Sequence, residues 1–324
     1  LTVMSRNLYL GVDLLPLVSS ANIGELAQNA AAAFAVVEAT DFPTRAEALA
    51  EEIAEHRPAL VGLQEVALWR TSEEGVMDGP LSPAEVVVTD FLDVLDGALT
   101  ARGLDYTVAV AQETFDAEVP SGLDLDVRLT MRNAILADTD ALEIPGASDG
   151  LFVENSSFET LFGALVDTRG WTAVDALVAG QPIRLINTHL DPYDPAVRAF
   201  QAQELIDGPA ATDVPVVLLG DLNAEISMPT MSALLGAGFS DGWEAAGESP
   251  GETCCFNQDL ADTGSILDQR IDFVLVSDGL EAIAAERVGA DPVDRVENLW
   301  PSDHAGVVAD VVFQTGEAEG AQGS

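Results

Sequence analysis

The chain contains no lysine. Its 13 basic residues are all arginines, set against 55 acidic ones, for a formal net charge of −42 over 324 residues. A field of that sign repels polyanions at low salt and keeps a protein soluble in concentrated salt. It excludes a grip on duplex DNA that relies on many diffuse phosphate contacts. Cysteine is nearly absent too. Cys254 and Cys255 are the only two and are adjacent, which excludes a disulfide framework and any thiolate metal site of the usual spacing. Two buried thiols are the expected state, and a strained vicinal disulfide is the alternative. No uninterrupted apolar run is long enough to span a bilayer. There is no Walker-type glycine loop and no serine or cysteine elbow, so neither that mode of nucleotide binding nor covalent acyl transfer is supported. Aromatic residues make up only 6%, but hydrophobic residues make up 48%, enough for a globular core. The sequence opens on the strand-like Leu1-Thr-Val-Met4 with no charged-then-apolar leader. The expectation is an extracellular or periplasmic protein whose leader has been removed.

What the chain does have is interleaved strand and helix signals without a repeat or a linker. A first strand spans Leu1–Asn7, followed by an alanine-rich helical segment to about Ala39. Thr44 and Glu47 have capping-box spacing ahead of a helix that stops before Pro58. Ala59–Leu63 reads as a buried strand. Ser82-Pro83-Ala84-Glu85 predicts a helix start, continued by Phe91, Leu92, Leu95 and Leu99. Strands are predicted at Tyr106–Val110, Ala134–Leu136, Trp171–Val178, Ile183–Thr188, Pro215–Leu219, Ile271–Val276 and Ala305–Phe313. Helices are predicted from Asp194 to Gly208 and from Met228 to Leu235. Thr139–Gly163 reads as loop, with Leu151-Phe152 and Phe158–Phe162 as core. Several strand neighbours are joined by short turns, which points to mixed sheets covered by helices. One domain is expected over residues 1–313, with a tail at 314–324.

Chemistry-bearing residues sit at strand ends. Pro215–Leu219 delivers Gly220-Asp221-Leu222-Asn223, a carboxylate and an amide two residues apart, expected to point the same way on an extended chain. Glu65 follows Leu60–Leu63, and Asn7 ends the first strand. His189 closes Asn187-Thr188-His189. Asp272 opens the Ile271–Val276 strand, and Ser302-Asp303-His304 precedes the last one. Carboxylates and amides suit a hard cation and the phosphate it holds. Imidazoles move protons near neutral pH. His56, at a helix end before Pro58, reads instead as a C-terminal helix charge. This inventory suits metal-assisted attack of water on a phosphate ester.

In that order, Asn7, Leu63-Gln64-Glu65, Asn187-Thr188-His189-Leu190, Gly220-Asp221-Leu222-Asn223, Arg270-Ile271-Asp272 and Ser302-Asp303-His304 resemble the endonuclease/exonuclease/phosphatase (DNase I-like) superfamily. Asn7–Gly11, Asp126–Thr130, Arg169-Gly-Trp171 and Thr253-Cys-Cys255 resemble a bacterial branch of it. The resemblance implies a four-layer α/β sandwich, with two face-to-face mixed sheets flanked by helices. It implies Mg²⁺ as cofactor, with Mn²⁺ able to substitute. Glu65 would be the main ligand, with Asn7 beside it and Asp303 as a further one. Asp221 would position or activate water, Asn223 would hold the phosphate or a metal, Asp272 and His304 would form a carboxylate–imidazole pair, and His189 would donate a proton to the leaving oxygen. Asn187, Arg132, Asn133 and Arg270 are the expected substrate contacts. Met131-Arg132-Asn133 replaces an expected Asp-Arg-Asp, which removes a carboxylate partner for His189. The expected activity is a monomeric phosphodiesterase acting on a small phosphodiester or phospholipid head group. A nuclease is the alternative, and a catalytically idle binding module of the same fold is a third reading.

Overall fold

The computed structural model describes residues 1–72, 83–122, 125–247 and 251–314. In chain order it forms β1 (Thr2–Asn7), the short α1 (Leu15–Val18), α2 (Ile23–Ala39), α3 (Phe42–His56), β2 (Leu60–Gln64), β3 (Leu68–Ser72), β4 (Val86–Asp90) and α4 (Phe91–Ala101). Two long strands follow, β5 (Tyr106–Pro120) and β6 (Asp126–Asp138), then β7 (Glu143–Leu151), β8 (Ser156–Thr160), β9 (Gly163–Asp167), β10 (Gly170–Val178) and β11 (Gln181–His189). The remainder is α5 (Pro195–Asp207), β12 (Val216–Asp221), α6 (Pro229–Gly236), β13 (Phe239–Asp241), α7 (Gly242–Ala246), β14 (Asp272–Ser277), β15 (Leu280–Val288) and β16 (Gly306–Phe313).

The buried strands are short runs of branched apolar residues, which fill a doubly covered sheet better than an alternating pattern would. Val216–Asp221 is buried at every position. One sheet has the order β15-β16-β1-β2-β6-β3-β4, with β5 also pairing β6; the other is β13-β14-β12-β11-β10-β7. Their inner faces meet in one core, where Val3, Leu60, Ile135 and Val307 of the first sheet pack with Val174, Leu185, Leu219 and Val274 of the second. Helices α2, α3 and α4 cover the outer face of the first sheet through Phe34, Leu49 and Leu95. Helices α5 and α6 cover the second through Leu205 and Leu234. The result is the four-layer sandwich expected from the sequence. Gly62 allows the sheets to close, because a Cβ there would lie 2.1 Å from Leu219 Cδ1 and 2.8 Å from Asn187 Oδ1.

Several local expectations change. Val86-Val-Val-Thr forms a strand where a helix start was expected, since β-branched residues favour the pleated surface. Asp90 then caps α4 by accepting Leu92 N–H at 3.0 Å. Ser82, the expected cap, lies outside the described residues. Helix α3 starts earlier than the Thr44 capping box predicts: its cap is Asp41, whose carboxylate accepts the Thr44 hydroxyl at 2.7 Å. Thr139–Gly163, read as loop, carries β7 and β8; their half-exposed polar faces hid the alternation. Leu151, Leu161 and Phe162, expected in the core, are exposed, whereas Phe152 is buried. The sulfurs of the adjacent Cys254 and Cys255 lie against one another. Of the expected tail, only Gln314 is described.

Candidate active site

Strand direction explains why residues scattered along the chain meet. β1 and β2 are parallel, so their C-terminal ends deliver Asn7 and Glu65 to one side. In the other sheet β11 and β12 are parallel, with His189 directly opposite Asp221. β14 runs antiparallel to β12 and begins with Asp272 opposite Asp221. β16 runs antiparallel to β1, so Asp303 and His304, which precede it, arrive on the same side. The two sheets thus present one shared edge, and a cavity of about 270 Å³ opens there, lined by Glu65, His189, Asp221, Asn223, Asp303 and His304 among others. Tyr9, Glu65 and Asn223 also line it, and all three have positive φ, 59°, 53° and 48°. That conformation is uncommon outside glycine and costs on the order of 1–2 kcal/mol for an ordinary side chain. Such backbone strain concentrates at functional sites.

The side chains form one connected network. Asn7 is fully buried and donates to Glu65 Oε1 at 3.2 Å and Asp221 Oδ2 at 3.1 Å, while its Oδ1 accepts Tyr9 N–H at 2.9 Å. Its amide therefore ties the two carboxylates together from behind the cavity, and its oxygen is already engaged. Glu65 Oε2 accepts Leu10 N–H at 2.7 Å. Asp221 Oδ2 lies 3.4 Å from His189 Nε2 and 3.8 Å from His304 Nε2. Asp272 Oδ2 holds His304 Nδ1 at 2.8 Å. Thr253 Oγ1 accepts Asp272 N–H at 3.1 Å and fixes the start of β14. Asp221, Asp272 and His304 offer ligand atoms within 4.8 Å of one another, and Asp272 Oδ1 is buried with no hydrogen-bond partner.

The pairing of Asp221 with Asn223 arises differently from the expectation. β12 ends at Asp221, and Asn223 turns back in the left-handed region. Asn223 N–H donates to Asp221 Oδ1 at 3.0 Å, and its side-chain amide donates to Leu190 O at 3.0 Å. Both residues line the cavity through a turn, not through extended alternation. Asp221 also takes the place beside His189 that Asn133 does not fill; the Asn133 amide donates to Gly170 O at 3.1 Å.

Burial and clustered charge set the protonation states. Burial first, then Asp272 and Glu65, raise Asp221 to about 7 against the pull of His304 and the Asn223 N–H. Asp303 is raised to about 7, first by burial and then by Glu65 and Asp272. Burial works against a charged His304, but Asp272, Asp303 and Asp221 together outweigh it and hold the imidazole well above its ordinary value. His189 moves the other way: burial, then Arg169, then His304 push it well below. The two imidazoles are therefore driven apart, one toward the cation and one toward the neutral ring.

Two expected substrate contacts lie elsewhere. Asn187 is fully buried between the sheets, where its amide donates to Leu63 O, Ala134 O and Thr172 Oγ1 at 3.0, 3.1 and 3.2 Å and its oxygen accepts Gln64 Nε2 at 2.6 Å. It lies on the same strand face as His189 but a layer deeper, and it fastens the sheets together. Arg270 is paired with Asp241 at 2.7 Å and stacked over Phe273, away from the cavity lining. Arg132 does line the cavity, with Asn133, but its guanidinium is committed to Asp90 and to the Val66 and Ala67 carbonyls. Sequence reasoning missed Tyr193 on the cavity wall, where Arg169 also stands. It also missed two buried arginines. Arg6 pairs with Glu52 and donates to His304 O. Arg45 donates to Leu8 O, Tyr9 O and Pro301 O, joining the loop after β1 to the loop before β16. A charge inside the apolar run of β1 was the available signal for Arg6. His56, at the end of α3, pairs with Glu286 at 3.0 Å, consistent with a peripheral role.

Residues 20–304 match the family model described as Endonuclease/Exonuclease/phosphatase family. The chain belongs to that family. Its members are phosphoester hydrolases. No curated protein matches the chain, but solved structures share its layering at low identity. The mannosyl-6-phosphatase of Bacteroides thetaiotaomicron is 18% identical, with TM-score 0.60 over 97% of this chain and 100% of that one. A Bacteroides thetaiotaomicron endonuclease/exonuclease/phosphatase family protein is 20% identical, with TM-score 0.61 over 97% and 98%. D. rerio TDP2 complexed with a single-strand DNA product is 15% identical, with TM-score 0.58 over 97% and 99%. At these identities the likeness concerns the fold.

Proposed function

We propose that the chain is a Mg²⁺-dependent phosphodiester hydrolase acting on a compact phosphodiester or a phospholipid head group. The observation that carries this reading is the convergence of Glu65, Asp221, Asp303 and His304, the last held by Asp272, on one cavity from four strand ends in two sheets. The donor set fits the cation: hard oxygens, in excess of the neighbouring positive charge, with Asp221 and Asp303 raised by burial and by one another's neighbours. Glu65 and Asp303 would hold Mg²⁺, or Mn²⁺ in its place, and Asn7 positions Glu65 from behind. When bound, the ion neutralises charge on the phosphoryl oxygens.

The protein's own groups divide the remaining work. Asp221, poised near neutrality, accepts a proton from the attacking water. Water's oxygen bonds to phosphorus as the bond to the leaving oxygen breaks. His304, held protonated, is the group with a proton to give to that oxygen. His189, held neutral, hydrogen-bonds a phosphoryl oxygen. This exchanges the role the resemblance implied for His189, because its burial next to Arg169 disfavours the imidazolium. Asn223 orients the phosphate. A nuclease reading gains nothing from the cavity's cations, since Arg132 and Arg169 are each committed to an acid, Asp90 and Asp167.

Hydrolysis of bis-p-nitrophenyl phosphate tests the reading. EDTA is expected to abolish release of p-nitrophenolate and Mg²⁺ to restore it; full turnover after rigorous metal removal would sink the proposal. The charge adds a second test. With Mg²⁺ fixed, any cleavage of duplex DNA should increase with added NaCl, because the repulsion acts over about 30 Å at 0.01 M salt and is screened above it. Efficient low-salt cleavage that declines with salt would favour a nuclease.

A further inference from the structure

A second cavity, of about 420 Å³, opens beside the catalytic one. Its walls come from α2 (Leu26, Ala30, Ala33, Phe34), from Trp69 on β3, from β5 and β6, and from the β8–β9 hairpin. The two cavities share Leu14, Val18, Phe115 and Leu165 in their linings, so they form one continuous depression with a charged end and an apolar end. The hairpin belongs to neither large sheet. It contributes Phe158 and Leu165 to the charged end and Leu161 and Phe162 to the apolar one, and Phe162 at its tip is 68% exposed.

Among the described residues, the lining of the apolar end offers no cation to hold a second phosphate. Its acids there are Asp116, which is tied to Arg70, Arg128 and Thr130, and Glu118, which accepts Ala84 N–H at 2.9 Å. No arginine is among its lining residues, whereas a nucleic-acid strand needs cations that track its backbone. A volume of this size, lined by aliphatic and aromatic side chains with few polar groups, is ligand-sized. Its occupant must also be joined to whatever sits in the catalytic end.

We propose that this cavity seats a hydrocarbon chain of the substrate, making the substrate a phosphodiester with a long alkyl or acyl substituent. This rests on the hydrolase reading above and narrows it to lipid-like esters. The chain lies along α2 and under the hairpin while the phosphate sits at Asp221 and His304. The exposed hairpin tip extends the apolar wall to the surface from which such a chain would enter.

The test is a series of p-nitrophenyl alkyl phosphodiesters from methyl to decyl, all below their aggregation concentrations, with Mg²⁺ present. Each added methylene that becomes buried favours binding several-fold at most, so kcat/KM should increase roughly tenfold or more across the series. Ala33→Phe, which fills the cavity, should flatten the decyl-to-methyl ratio. Phe162→Asp, at an exposed position tolerant of folding, should lower the same ratio. Independently of catalysis, 1-decanol should perturb the fluorescence of Trp69 in the wild type and not in Ala33→Phe. Cleavage of the methyl ester with no dependence on chain length would overturn the proposal and leave the hydrolase reading intact. Cleavage of no ester would overturn the hydrolase reading, and the decanol measurement alone would then decide the cavity. Protection of Trp69 by a single-stranded oligonucleotide, with no response to decanol, would also overturn it.

Discussion

The two ends of the depression are built in opposite ways. The charged end is assembled from strand termini, and every group in it is held by another: Asn7 by Tyr9 N–H, Glu65 by Leu10 N–H, Asp272 by Thr253. The apolar end is assembled from a helix face, two long strands and a free-standing hairpin, and among its described lining residues most are aliphatic or aromatic. Rigid strand ends suit chemistry, which needs groups fixed to fractions of an ångström. A non-directional apolar wall suits a variable chain, since burial is rewarded by area and not by orientation.

The largest expected effect breaks the charged end alone. Asp221→Asn keeps the shape but removes the proton acceptor, and turnover should fall by about 10² or more. His304→Ala should fall as far. Steady-state kinetics on bis-p-nitrophenyl phosphate would measure both, and near wild-type turnover in either variant would refute the assigned roles. Next in size is a change of stability rather than of chemistry. Asn187→Ala removes the hydrogen bonds to the Leu63 and Ala134 carbonyls and from the Gln64 amide that join the sheets, at a cost of about 3 kcal/mol. A lower denaturation midpoint with turnover largely retained at low temperature is expected. A large drop in kcat at unchanged stability would restore Asn187 to the substrate.

A smaller effect concerns protons and metal. Asp303, raised to about 7 by burial, must lose its proton before its oxygens can serve a cation. The apparent affinity for Mg²⁺ should therefore strengthen as pH rises through about 7 and weaken below it, by up to about tenfold per pH unit for each proton released. Titration calorimetry between pH 5.5 and 8.5 would show it, and a flat profile would count against the cluster as the metal centre. Glu65→Gln should raise the Mg²⁺ requirement at every pH. The smallest effect is His56→Ala, expected to be silent in rate and nearly so in stability, because its partner Glu286 is mostly exposed.

The same contrast explains what could be read from the sequence. Val216–Asp221 and Leu60–Gln64 are unbroken apolar runs that stop at a polar residue, so their ends were visible and the charged end with them. Asp272 and His304 were visible singly beside their strands, and their pairing followed from the family resemblance. Asn187 was misread because an amide on a buried strand looks identical whether it meets a ligand or the opposite sheet. The only clue was Gly62, the small residue that makes room for it across the core. The apolar end was invisible. Leu161, Phe162 and Phe115 carry no period that separates a cavity wall from a core, and the half-exposed strands from Glu143 to Asp167 lack the clean alternation that marks a one-sided sheet. Asp90 shows a related ambiguity, since it ends a strand and caps a helix in one residue.

The position of β1 has a consequence for how the site is completed. β1 lies between β2 and β16, and the Leu1 amino group donates to Val311 O at 2.9 Å. β1 is therefore held from one side by β2 and from the other by β16, about 300 residues away. His304 lies two residues before β16, so the docking of that strand and the arrival of the imidazole are one event. A fold with Glu65, His189 and Asp221 in place but β16 undocked would still lack the group that holds the leaving proton.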